Sequence, residues 1–181
     1  VTMALTYTAI STVTVGSGGA ANIEFTSIPQ TYTDLEIKLS ARCNATNGGY
    51  QLRLNIYFNN STSGYSERWL QSEGNNAMGS GTSYFNVGGT NGLGGTIVPS
   101  DWTASTFGNT AIYIPNYAGS NNKSWSVDSS NENNGTFASL MLAGLLWSNT
   151  AAITSIKFSV YPSANFVQYS TATLYGIKNT V

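Results

Sequence analysis

The chain has no histidine, one cysteine, and only seven basic and eight acidic residues in 181. Without histidine, no Ser-His-Asp or Cys-His arrangement can be assembled within it. Zinc, whose usual ligands are Cys and His, has one such residue to bind. The single cysteine, Cys43, cannot form an intramolecular disulfide. It falls on the apolar side of an alternating run and reads as a small buried hydrophobe. Charged residues make up 8% of the chain, against about 25% in an ordinary soluble domain. A net charge of −1 offers no basic field to phosphates, which argues against nucleic-acid binding. Long apolar runs are missing too. The longest, Leu140 to Trp147, is far short of the roughly 20 residues a membrane-crossing helix needs. No basic segment followed by an apolar one opens the chain, so the expectation is a soluble protein made in the cytosol without a secretory signal.

In place of charge stand Ser (23), Thr (22), Asn (20) and Gly (19), nearly half the chain. Neutral hydroxyls and amides keep such a protein in solution and leave it little chemistry to offer a substrate. Hydrophobic residues at 41%, with 11 Tyr, 7 Phe and 4 Trp, are enough for a core. A domain of this length buries about 70% of its unfolded surface. No charged or proline-rich linker divides residues 1–181, which read as one domain.

Strand patterns dominate. Leu35, Ile37, Leu39, Ala41 and Cys43 alternate with polar residues, as do Leu52, Leu54, Ile56 and Phe58, and then Ile156, Phe158 and Val160. Further strands are expected at Leu5–Val15, Ala20–Ile28, Ala111–Ile114, Lys123–Val127, Thr136–Trp147 and Thr171–Ile177. About nine or ten strands, with Gly, Asn and Pro punctuation and minimal helix, predict an all-β fold, a single antiparallel β-sandwich. Residues 74–95, eight of them glycine, read as a long loop, packed on something through Tyr84 and Phe85. With so few basic residues, strand edges cannot all be guarded by charge, so they are either covered by loops or paired in an assembly; pairing is the favoured reading.

Candidate chemistry is sparse. Glycoside hydrolysis needs only two carboxylates, but Glu67, Glu73, Asp101, Asp128 and Glu132 are scattered and read as solvated acids in loops or at strand ends. Asp128, Asn131, Glu132, Asn133 and Asn134 make an oxygen-rich turn before Gly135. Turn formation is favoured there over calcium, whose EF-hand spacing is not met. No metal or cofactor is expected. Aromatic platforms with Asn side chains suit sugars. Trp125 and Trp147 lie in strand-like segments and read as core, whereas Trp102 lies in a loop-like stretch and reads as exposed. Matches to N-x-[ST] at Asn44, Asn60, Asn122 and Asn134 follow from composition.

Three segments carry a resemblance. They are Ala4-Leu5-Thr6-Tyr7-Thr8-Ala9-Ile10 leading on to Phe25–Leu35, then Ile112-Tyr113-Ile114-Pro115-Asn116-Tyr117-Ala118-Gly119, and the close from Gln168 to Lys178. Together they resemble small β-sandwich virion proteins of tailed phages, notably those of marine bacteria and cyanobacteria. The motifs are structural, not catalytic. The resemblance implies a jelly-roll-like sandwich in the virion, either a capsid decoration (cement) protein or a tail or fibre component. Its partners would be the major capsid protein or other virion proteins and copies of itself, a trimer among them. Contacts are expected at Tyr84, Phe85, Leu93, Trp102, Asn116 and Tyr117. The alternative is a tail-fibre or appendage module that binds host surface glycans through Trp102, Tyr117 and loop Asn residues. Contacts through aromatics and neutral polar groups lose little to salt, unlike surface ion pairs.

Overall fold

The computed structural model describes residues 7–48, 51–73, 82–135 and 137–178, the side chains of 73 and 82–88 excepted. Its strands are β1 (Tyr7–Thr14), β2 (Asn22–Phe25), β3 (Asp34–Ala41), β4 (Leu52–Phe58), β5 (Tyr65–Glu73), β6 (Thr82–Gly89), β7 (Gly92–Ile97), β8 (Gly108–Ile114), β9 (Lys123–Asn131), β10 (Ser139–Trp147), β11 (Ile156–Tyr161) and β12 (Thr171–Ile177). No described residue is helical.

Two antiparallel sheets stack as a β-sandwich. One has eight strands in the order β1-β12-β3-β8-β9-β10-β5-β6, the other four in the order β2-β11-β4-β7. Four pairs nest inside one another along the chain: β1 with β12, β2 with β11, β3 with β8, and β4 with β7. Successive pairs alternate between the sheets, as a long hairpin does when it is rolled up. Two hairpins interrupt the nesting. The β5–β6 hairpin follows β4, the β9–β10 hairpin follows β8, and both extend the larger sheet beyond β8.

The alternating runs bury the faces expected of them. Leu35, Ile37, Leu39 and Ala41 of β3, Leu54, Ile56 and Phe58 of β4, and Ile156, Phe158 and Val160 of β11 lie in one core, with Cys43 fully buried beside them. The sheets meet through an aromatic cluster. Phe58 of β4 meets Trp125 of β9 edge-on at 4.9 Å between centroids, and Tyr65 of β5 stacks on Trp147 of β10 at 6.2 Å. The Tyr65 hydroxyl accepts the Phe58 N–H at 2.9 Å, so this phenol also joins the two sheets.

Twelve strands replace the expected nine or ten, and the additions are β5, β6 and β7. The long loop expected over 74–95 is corrected: from Thr82 onward it is two strands, while 74–81 lies outside the described residues. In β7 glycine is a packing requirement. A Cβ on Gly92 would come within 2.5 Å of the Trp125 ring, and Gly95 has a φ of +115° with the Thr110 side chain 3.0 Å from its Cβ position. Glycine lets the backbone of β7 press directly onto side chains of the other sheet, beside a bulge opposite Leu54 and Asn55. β5 was hidden for a different reason: one of its inward positions is Glu67, which breaks the apolar alternation.

Phe58 is fully buried at the centre of the aromatic cluster. Phe58→Ala is therefore expected to lower the unfolding free energy by about 3–5 kcal/mol. Urea denaturation followed by tryptophan fluorescence checks this, and an unchanged midpoint would contradict the assigned core.

Candidate functional site

Among the described residues nothing covers the outer face of the larger sheet, and pairing register lays that face out row by row. One row runs Arg68, Gly144, Ser126, Tyr113 and Glu36 across β5, β10, β9, β8 and β3. The next runs Leu70, Leu142, Asp128, Ala111 and Lys38. Seven large hydrophobic side chains are exposed among the described residues. Tyr7, Leu70, Tyr113, Leu140 and Leu142 belong to strands of this sheet, with Leu142 59% and Leu70 57% exposed. Small residues (Gly144, Ser126, Ala111) floor a shallow groove of about 600 Å³, and Leu70, Leu142, Tyr113 and Arg68 rim it. An apolar surface of this kind, edged by charge, is what protein contact sites share.

The residues expected to make contacts are mostly elsewhere. Leu93, Trp102 and Tyr117 are buried, which corrects their assignment as contact residues. Leu93 lies on β7, inside the sandwich, where its carbonyl accepts the Trp125 indole N–H at 3.2 Å. Trp102 is turned inward against Phe137, so it cannot serve as a sugar platform. Tyr117 donates its hydroxyl to the Pro29 carbonyl from within the core. Asn116 is exposed, with a φ of +49° suited to a turn. Tyr84 and Phe85 lie on β6, and their side chains are outside the described set.

The scarce charges do internal work. The Arg42 guanidinium donates to four backbone carbonyls, Ser100 and Trp102 through Nη2 (2.9 and 2.8 Å) and Thr103 and Thr106 through Nη1 (2.8 and 3.0 Å). Burial lowers its pKa. Lys123, 1% exposed, donates to the carbonyls of Gly119 (2.6 Å), Asn121 and Thr150 (3.3 Å). Here too burial lowers the pKa. Arg53 of β4 clasps Glu67 of β5 with two bonds of 2.7 and 2.8 Å, an ion pair between the sheets. Two acids expected in loops or at strand ends thus lie within strands, Glu67 in β5 and Asp128 in β9, and Glu67 is consumed by a structural pair.

Neutral polar groups are used in the same way. Asn59 Oδ1 accepts the backbone N–H groups of Thr154 (2.8 Å) and Ser155 (3.1 Å). Asp34 accepts the Asn116 N–H and the Tyr113 hydroxyl, both at 2.9 Å. Buried Ser129 bonds Thr96 of the other sheet and Thr110 on the neighbouring strand β8 of its own. In the oxygen-rich turn, Glu132 accepts the Asn134 N–H and Asn133 accepts the Thr103 N–H, both at 2.7 Å. Among the described residues, no group of three or more His, Cys, Asp or Glu side chains converges as a metal site would.

No family model, no curated protein and no solved structure matches the chain.

The signal for the apolar face was present in the longest apolar run. Leu140 to Trp147 is apolar at inward and outward positions alike, so a strand there must present leucines to the outside.

Two outcomes follow from the buried polar groups. Arg42→Met leaves four carbonyls without their donor and is expected to cost about 3 kcal/mol, measured by thermal and urea unfolding; a loss under 0.5 kcal/mol would show that the cage is not structural. Burial pushes the Tyr65 phenol up to about 12 from an ordinary 10.0. The folded state thus favours the neutral phenol, a contribution complete below pH 10 and lost as pH rises toward 12. By linkage it amounts to about 3 kcal/mol. Unfolding at several pH values should show the wild type losing more stability than Tyr65→Phe across that window, and parallel curves would contradict it.

Proposed function

We propose that the chain is a structural protein of a phage virion, a capsid decoration protein that works by covering surface between neighbouring subunits, without turnover. The observation that carries the contact reading is the exposed Leu70, Leu140, Leu142 and Tyr113 set on the outer face of the larger sheet. The virion assignment rests on the resemblance of the terminal and central segments. The nested strand pairs support a jelly-roll reading, an architecture that capsid and lectin domains share; fold alone does not assign function. Burial of Trp102 and Tyr117 counts against the glycan-binding alternative so far as it relied on those two aromatics.

Quantitative mass spectrometry of purified particles tests the reading. Decoration requires hundreds of copies per particle, and Leu142→Lys with Leu70→Lys should cut occupancy at least tenfold without unfolding the chain. Absence of the protein from particles would overturn the virion assignment. A few copies would place it in the tail.

A further inference from the structure

We propose that the outer face of the larger sheet docks onto the same face of a second copy of this chain, related by a two-fold axis lying along β9. The inference rests on the preceding reading that this face is the working surface, and it commits that face to one occupant.

The pattern of large and small residues is self-complementary about β9. A two-fold along that strand places β8 of one copy over β10 of its mate, and β3 over β5. In the first row Tyr113, 41% exposed, then stands over Gly144. A side chain at Gly144 would meet nothing within 4 Å among the described residues, so the position is an open hole facing outward. In the next row Leu142 stands over Ala111, again large against small. Each of these contacts occurs twice, as an isologous interface requires.

Charge follows the same symmetry. Arg68 on β5 comes opposite Glu36 on β3, and Glu36 opposite Arg68, so that the Glu36 carboxylate, paired with Lys38 in its own chain, would be shared with the mate's arginine, while Leu70 lies opposite Lys38. An axis across the strands would instead set β5 on β5 and bring the arginines together. One contact opposes association: Asp128, in the central strand, meets its own copy on the axis. Stacked sheets cross at about 30°, which keeps register near the axis, where the Tyr113–Gly144 contact lies.

The area suffices. Seven strands, β12 through β6, overlap about this axis; at about 4.8 Å spacing and about 25 Å long they span roughly 800–850 Å², close to the ~800 Å² per partner of a standard interface. Such a pair closes with two-fold symmetry, unlike the trimer that the resemblance implied.

Sedimentation equilibrium on the purified full chain tests the proposal. The wild type should show a concentration-dependent dimer. Gly144→Trp fills the hole that receives Tyr113 and should shift the dissociation constant at least tenfold toward monomer, with circular dichroism unchanged. Arg68→Glu should weaken the dimer, and Arg68→Glu with Glu36→Arg should restore it. Asp128→Asn should tighten it by removing the like-charge contact. A wild type that stays monomeric to 100 µM, a dimer indifferent to Gly144→Trp, or a double charge swap that does not restore association would each overturn the inference. A monomer that still occupies particles in hundreds of copies would overturn this inference alone; a dimer absent from particles would overturn only the virion assignment.

Discussion

One end of the sandwich is organised around the Arg42–Cys43 backbone and the Arg42 guanidinium. The guanidinium gathers carbonyls from Ser100 to Thr106. The backbone of the same residue accepts from Val167 and exchanges two bonds with the Ser170 hydroxyl. Cys43 N–H bonds the Val98 carbonyl, and Cys43 bridges to Phe166. Segments some sixty and some 125 residues away in sequence are thereby tied to the end of β3. A guanidinium can do this because its five donors form a rigid planar fork and it keeps its proton at any physiological pH. Few other residues in so lightly charged a chain could satisfy four carbonyls at once.

The same economy recurs elsewhere. Lys123 holds a second set of carbonyls, and Arg53 with Glu67 links the sheets. Arg42, Arg53 and Lys123, three of the seven basic residues, are thus bound to backbone or to the facing sheet. The surface is left mostly to hydroxyls, amides and exposed leucines, with a few charges such as Arg68, Lys38 and Asp128 among them. An interface built on such a surface depends on shape and apolar area more than on ion pairs, and so tolerates salt.

Legibility in the sequence followed physical lines. Strands with one wet and one dry face, β3, β4 and β11, announced themselves by period two. β12 was bounded at its observed ends. β5 was not legible, because Glu67 occupies an inward position that only Arg53 on the other sheet makes tolerable. β7 was not legible because its glycines look like a loop until Trp125 and Thr110 are found pressed against them. The contact residues misled in a consistent way. Leu93, Trp102 and Tyr117 were sought outside because they lay in stretches without alternation, yet irregular backbone can be buried when distant donors satisfy it. For Trp102 that donor is Arg42, sixty residues away.

The sequence by itself determined the all-β class, the inward faces of the regular strands, the burial of Cys43 and the absence of histidine chemistry. Those properties depend on composition and on neighbours two residues apart, both readable along one chain. Only the tertiary structure decided how the twelve strands divide between two sheets, which charges are structural, and that the leucines of β10 face outward over a glycine-floored groove. Alternation separates the two faces of a strand but does not say what covers either one. That depends on which remote segment folds over it, as β7 folds over β9 while no described residue folds over the outer side of β10.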